Sequence, residues 1–158
     1  MIPLRILGVG NGFRRDDGAG PWVAARLAEQ GWPADTHSGE GAGLMDAWDG
    51  CAAAVIVDAL QSGATPGTVR RFDAHEEVLP AGLFRASSHL FGVAEAVETA
   101  RVLGRLPPTL VIYGIEGGDF GFGEGLTPAV ADACAAVLDR IRRDWPRIGT
   151  ADDAPAAG

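Results

Sequence analysis

Two carboxylates and one imidazole are the side chains best placed for chemistry in this sequence. Asp17 follows a glycine-rich turn after the first apolar run, Asp58 closes a later apolar run, and His89 lies in Ser87-Ser88-His89-Leu90. Two oxygen donors and one nitrogen donor suit nickel, zinc or a similar divalent ion. Three protein ligands leave positions open for water or for a ligand from outside. The three residue types together predict a metal-contacting site.

Each of these residues also has a purely structural interpretation when it is considered alone. Asp17 suits the start of a helix, where the macrodipole favours an acid. Asp58 suits a turn cap or an arginine partner, and His89 suits a surface or capping position. The functional hypothesis therefore depends on the fold bringing the three together. Glu116, at the end of the last apolar run, is a further acid expected in the same cleft.

The pattern of apolar and helical segments predicts an α/β fold. Strands are predicted at 4–9, 35–37, 53–57, 68–73 and 109–115. Helices are predicted at 22–30, 44–48, 89–103 and 127–145. Alternation of this kind is typical of a twisted, mainly parallel sheet flanked by helices on both faces. Ligand sites in such sheets gather at the carboxyl ends of the strands. We therefore expect Asp17 and Asp58 at one edge, joined by His89 if its helix enters from that side.

Length and composition predict one globular domain. The chain has 158 residues, 47% hydrophobic and 22% charged, which is ordinary for a globular protein. We expect the domain to span 1–148, with a small, acidic and disordered tail at 149–158. No apolar run approaches the length of a membrane span, and the N-terminus lacks a signal-peptide layout. The expectation is a cytoplasmic protein without membrane insertion.

Several functional classes are disfavoured by the sequence. A net charge of −8 repels phosphate backbones, which disfavours nucleic-acid partners. The third glycine of a dinucleotide fingerprint is replaced by Phe13, and a chain without lysine has no Walker loop. Neither Cys51 nor Cys134 belongs to a C-x-x-C pair, and buried thiols are expected. An enzyme that binds phosphate or a nucleoside through the glycine turn and Arg14-Arg15 remains an alternative.

Six short motifs, in order along residues 4–145, resemble the maturation endopeptidases of nickel-iron hydrogenases. The family has a Gly-x-Gly-Asn turn with an acid six positions after the Asn, which here is Asp17. The motifs in this chain are Gly8-Val9-Gly10-Asn11, Asp58-Ala59, Gly63-Ala64-Thr65-Pro66-Gly67, Ser88-His89-Leu90, Tyr113-Gly114-Ile115 and Leu126-Thr127-Pro128. Two departures lie at the rim of the expected cleft. Gly41 stands where the family has a Thr, and Glu116-Gly117-Gly118 replaces a proline-containing loop.

The resemblance implies an aspartyl-type endopeptidase that trims the C-terminal extension of the hydrogenase large-subunit precursor after nickel insertion. Asp17, Asp58 and His89 are then the catalytic and metal-contacting residues. The nickel is supplied by the substrate, so no cofactor of its own is expected, although zinc or cadmium would suit the same donors. Asn11 and the backbone amides of the turn are expected to orient Asp17 or steady an oxyanion. A non-catalytic metal-binding assembly module for a nickel enzyme is the alternative.

Overall fold

Strands and helices alternate along the chain, as the sequence predicts. The computed structural model describes residues 2–80, 82–84 and 91–145. The strands are β1 Ile2–Val9, β2 Ala34–His37, β3 Cys51–Leu60, β4 Val69–Asp73 and β5 Thr109–Glu116. The helices are α1 Ala19–Glu29, α2 Gly41–Trp48, α3 Val93–Leu103 and α4 Pro128–Asp144, and a 3-10 turn at Arg15–Gly18 precedes α1. The predicted tail at 149–158 lies outside the described residues.

The five strands form one sheet in the order β2-β1-β3-β5-β4. The first four are parallel, and β4 runs antiparallel to β5. Gly8 of β1 pairs with Val57 of β3, and Val57 pairs with Tyr113 of β5. The carboxyl ends of the parallel strands therefore share one edge. The predicted single α/β domain with a mainly parallel sheet is confirmed.

The helices cover both faces of the sheet because buried side chains alternate along each strand. In β3, Val55 and Val57 pack with α1 and α4, while Ala54 and Ile56 pack with α2 and α3. Asp58 is two residues from Ile56 and four from Ala54, so its side chain points to the same face of the sheet as theirs, towards α2 and α3. Among the described residues, no helix is both long and apolar enough to span a bilayer.

Two predicted boundaries near the site were wrong. Strand β3 extends to Leu60, so Asp58 lies inside it and does not close it, because β5 continues to pair with Asp58 and the residues after it. Helix α3 begins at Val93, after the N-cap residue Gly92, rather than at 89. The Glu95 side chain accepts a hydrogen bond from the Gly92 N–H at 3.0 Å, which stabilises this later start.

Candidate active site

The glycine turn after β1 folds back on the 3-10 turn and fixes the carboxylate of Asp17. Gly10 has a φ of 143°, and a Cβ at this position would overlap the carbonyl oxygen of Asp17. The Asn11 backbone N–H donates to Asp17 Oδ2 at 2.9 Å. The Asn11 side-chain oxygen instead accepts from the Phe13 N–H at 2.9 Å. Asn11 therefore orients Asp17 through its backbone, while its side chain stabilises the turn.

A second close approach, at Gly20, sets the start of α1 on the ends of two strands. A Cβ at Gly20 would overlap the carbonyl oxygens of both Val9 and Val57. Only glycine lets the first turn of α1 approach β1 and β3 so closely. The glycines of this segment thus serve close packing, which agrees with the missing dinucleotide fingerprint.

Asp58 is a buried carboxyl with few groups to compensate its charge. Its side chain lies just beyond the last β3 residue that pairs with β1 and is 2% exposed. Its Oδ1 accepts from the Ala59 N–H at 2.8 Å. Burial raises the pKa of Asp58 well above its usual value, and the charge of Asp17 raises it further, against a smaller lowering by the Ala59 N–H.

The structure thus brings Asp17 and Asp58 together at the carboxyl edge of the sheet. Asp17 is also only 2% exposed, so two carboxyl groups share a largely buried environment. Such an arrangement is unfavourable when both groups are ionised, and it is characteristic of functional sites. Their placement agrees with the sequence analysis, and their chemical role remains a prediction.

His89, the third predicted residue, lies outside the described residues. Within residues 2–80, 82–84 and 91–145, no three His, Cys, Asp or Glu side chains are grouped so that they would hold a metal ion. The described chain does approach this edge. The Gly41 N–H, at the start of α2, donates to the Phe91 carbonyl at 2.9 Å. Helix α3 therefore enters from the side that the three-residue hypothesis requires.

Asp16, the neighbour of Asp17, organises the loop that follows β5. It is fully buried. Its Oδ2 accepts from the backbone N–H groups of Gly118 at 2.8 Å and Asp119 at 2.9 Å. Its Oδ1 accepts from the Thr127 N–H at 2.8 Å, and the Thr127 hydroxyl donates to Oδ2 at 2.9 Å. One carboxylate thus joins the first loop to the start of α4. Asp16 was not among the predicted site residues, because its partners lie far along the chain.

Glu116 also anchors a loop. Its carboxylate is buried and accepts hydrogen bonds from the N–H groups of Ser62 at 3.0 Å and Ala64 at 2.8 Å, and from the Ser62 hydroxyl. These contacts hold the turn between β3 and β4. We therefore interpret this acid as a structural group of the cleft wall.

Neither cysteine has the properties of a nucleophile. Cys51 and Cys134 are both free and buried, as predicted. Burial raises the pKa of Cys51, and it raises the pKa of Cys134 to about 12. Since the thiolate is the reactive form, both are unreactive at neutral pH. The paired carboxyl groups are thus the stronger candidates for chemistry.

Comparison with known proteins identifies the class of this α/β enzyme. Residues 39–144 match the family model HycI, described as hydrogenase maturation protease. The match covers well over half of the chain. The chain therefore belongs to the hydrogenase maturation protease family and is an endopeptidase of that class. The matched range includes Asp58 and His89, whereas Asp17 precedes it.

Individual relatives extend the likeness to the N-terminal part of the chain. The hydrogenase expression/formation protein HupD of Rhodobacter capsulatus is 29% identical over 89% of this chain and 71% of its own length. HupD of Bradyrhizobium diazoefficiens is 26% identical over 98% of this chain and 85% of its own length. The hydrogenase maturating endopeptidase HybD from E. coli has the same fold, with a TM-score of 0.74 at 24% identity over 95% of this chain and 99% of its own.

Proposed function

We propose that the protein removes the C-terminal extension of a nickel-loaded hydrogenase large-subunit precursor in the cytoplasm. Asp17, Asp58 and His89 contact the nickel that the precursor carries, so the metal belongs to the substrate. Membership of the hydrogenase maturation protease family supports the class of reaction. The paired carboxyl groups at the carboxyl edge of the sheet support the recognition of a cation.

The observation that carries this proposal is the burial of two carboxyl groups, Asp17 and Asp58, each 2% exposed, at the carboxyl edge of the sheet. Burial and mutual repulsion disfavour ionisation of Asp58, which raises its pKa. A divalent ion beside both groups reverses this balance because it attracts each carboxylate. The site is therefore more favourable with a cation present than without one. A precursor that lacks nickel leaves the repulsion uncompensated, so the enzyme distinguishes loaded from unloaded precursor.

Hydrolysis at this site requires a water molecule and a proton acceptor. The water attacks the scissile carbonyl carbon while its proton passes to a carboxylate, which acts as general base. The C–N bond then breaks, and the proton is delivered to the departing amine. Asp17 and Asp58 are the candidates for this base. No thiol is needed, in agreement with the raised pKa values of both cysteines.

Intact mass spectrometry of the precursor tests the proposal directly. The nickel-loaded precursor should lose one C-terminal peptide when incubated with the protein, and the nickel-free precursor should not. Asp17→Asn, Asp58→Asn and His89→Ala should each abolish the loss. Asp132→Asn, at an exposed position of α4, is the matched control and should cleave normally.

Two outcomes would contradict the proposal in different ways. Full activity of Asp17→Asn or Asp58→Asn would exclude the paired carboxyl groups as the metal contacts. Stable complex formation without any loss of mass would favour the non-catalytic assembly module instead.

A further inference from the structure

Asp16 is a buried carboxylate beside Asp17 that the proposed mechanism does not use. Its side chain is fully buried, and it accepts hydrogen bonds at 2.8 to 2.9 Å from the N–H groups of Gly118, Asp119 and Thr127. These donors compensate the cost of burying a charge. Because Asp16 and Asp17 are consecutive in the chain, whatever holds Asp16 in place also constrains Asp17.

The 3-10 turn at Arg15–Gly18 directs the two acids to different sides. A 3-10 helix has about three residues per turn, so consecutive side chains point about 120° apart. Asp16 faces the loop at 117–127, to which it is bonded. Asp17 instead accepts from the Asn11 N–H at 2.9 Å and lies close enough to Asp58 for its charge to raise the pKa of that group. The turn is therefore held from one side and presents Asp17 to the site from the other.

The backbone of this turn is strained, so it depends on the contacts that hold it. Arg15 has a φ of 44°, a left-handed conformation that residues with a side chain rarely adopt. Such a conformation persists only where the surrounding structure determines it. The Arg15 N–H donates to the Gly123 carbonyl at 3.0 Å, and the Asp16 N–H donates to the Asp119 carbonyl at 2.9 Å. Both carbonyls belong to the loop that the Asp16 carboxylate binds, so loss of that carboxylate should let the turn relax and displace Asp17.

We propose that Asp16 is a positioning residue, whose carboxylate holds the 3-10 turn so that the Asp17 carboxylate lies beside Asp58 in the geometry that hydrolysis needs. This inference rests on the proposed function. Asp16 itself contacts neither the metal nor the scissile bond, because donors of the loop at 117–127 occupy both of its oxygens. A displacement of about 1 Å in a catalytic group lowers a rate by roughly a hundredfold. Activity should therefore depend on Asp16 through the position of Asp17.

Thr127 offers a mild test because its hydroxyl acts on Asp16 and not on the helix that it begins. The hydroxyl donates to Asp16 Oδ2 at 2.9 Å, and Thr127 makes no side-chain capping hydrogen bond to α4. Thr127→Val removes the hydroxyl but keeps the N–H donor, whereas Thr127→Ser keeps both. With the nickel-loaded precursor, we expect kcat/KM to fall about 100-fold in Asp16→Asn, about tenfold in Thr127→Val and less than about twofold in Thr127→Ser. In the Asp16→Asn background, Thr127→Val should have little further effect.

The Asn11 amide reports the position of Asp17 without a precursor. Its N–H donates to Asp17 Oδ2, so its NMR chemical shift changes when that carboxylate moves away. We expect the Asn11 signal of Asp16→Asn and Thr127→Val to move towards that of Asp17→Ala, which lacks the acceptor. Val97→Ala is the control for stability, because Val97 is fully buried in α3 and its truncation destabilises the fold. At a temperature where this control remains folded, its Asn11 signal and its kcat/KM should be those of wild type.

The results separate this inference from the proposed function. If wild type cleaves the precursor and Thr127→Val keeps its kcat/KM, the positioning inference is wrong and the proposed function stands, even where Asp16→Asn fails to fold. Equal losses in Val97→Ala would assign the effect to stability and overturn the inference. An unchanged Asn11 signal in inactive variants would also overturn it, because Asp17 would not have moved. If wild type does not cleave, the proposed function is wrong, whereas an Asn11 shift confined to Asp16→Asn and Thr127→Val would still show that Asp16 positions Asp17.

Discussion

The charge of Asp17 raises the pKa of Asp58, although 41 positions separate them and Asp17 follows β1 whereas Asp58 lies within β3. The register of β1 and β3 explains this, since Asp58 lies one residue beyond the Gly8–Val57 pair, where β1 ends and the glycine turn begins. The Asn11 N–H then holds Asp17 in the same region. Without a cation, burial and the charge of Asp17 disfavour the ionisation of Asp58, which lowers the stability of the folded protein at neutral pH.

Asp58→Asn should therefore stabilise the folded protein while it abolishes cleavage. The amide keeps an oxygen for the Ala59 N–H but removes a buried charge that Asp17 repels. We expect a gain of at least about 1 kcal/mol in the free energy of unfolding at pH 7, or about 2–4 °C in Tm at this chain length. Thermal unfolding of the metal-free protein measures it, with Asp132→Asn as the control that should stay within about 0.5 kcal/mol of wild type.

The pH dependence of this gain has a definite sign. The folded-state pKa of Asp58 is raised, so the folded state binds its proton more tightly than the unfolded state does. The stability that this group contributes is complete below its unfolded pKa and is lost as pH rises through the folded pKa. The advantage of Asp58→Asn over wild type should grow over that range. An advantage independent of pH, or a less stable variant, would contradict the electrostatic explanation.

The edge of the sheet that carries the candidate site could be predicted from the sequence, because the patterns that indicate it are local. Apolar runs set the positions of β1 and β3, and parallel strands place their carboxyl ends together. The glycine pattern likewise indicated a tight turn before α1. The end of β3 was not predictable in the same way, since Asp58 stays in the strand only because β5 pairs with it.

The roles of Asp16 and Glu116 depend on partners far along the chain, which no local pattern reveals. Asp16 binds N–H groups 102 and 111 positions away, and Glu116 binds a turn 54 positions away. Glu116 was expected to be a further acid of the cleft because it ends the last apolar run, and Asp16 is the neighbour of Asp17 in the sequence. The structure shows that backbone N–H groups surround each of them instead.

Asp16→Asn should destabilise the protein by about 3 kcal/mol, because an amide N–H₂ would face backbone donors and leave some of them without an acceptor. Chemical denaturation measures the loss. Asp119→Asn is a suitable control, since Asp119 lies exposed on the same loop, where it pairs with Arg15 at 3.5 Å and accepts from the Gly121 N–H at 2.9 Å, a bond that the amide oxygen can keep. That change should cost less than about 1 kcal/mol. Equal effects of the two substitutions would show that Asp16 does not anchor the loop.

Glu116→Gln should preserve cleavage at a small cost in stability. The Gln oxygen can still accept from the Ser62 and Ala64 N–H groups, so we expect a loss of about 1 kcal/mol and a kcat within about twofold of wild type. Glu116→Ala removes every acceptor and should be clearly less stable. Loss of activity in a folded Glu116→Gln protein would contradict this structural role. It would assign Glu116 a part in catalysis, as is expected for Asp58, whose Asn variant should be inactive.

The Phe91 ring occupies the space that a side chain at position 41 would need. A Cβ at Gly41 would overlap the Phe91 ring, and the Gly41 N–H donates to the Phe91 carbonyl at 2.9 Å. Gly41→Thr should therefore displace Phe91 and destabilise the protein by about 1–3 kcal/mol.

Removing the ring should restore the space. Phe91→Ala alone leaves a cavity, but in the double variant the threonine fills part of it, so the two losses should not add. A double-mutant cycle of unfolding free energies measures the coupling, which we expect to be at least about 1 kcal/mol in favour of the pair. Gly12→Thr is the matched control, because a Cβ added at Gly12 would meet open space. Gly50→Thr would not serve, because Gly50 has a φ of 76°, which strains any residue other than glycine. Strict additivity of Gly41→Thr and Phe91→Ala would show that the ring does not determine the residue at position 41.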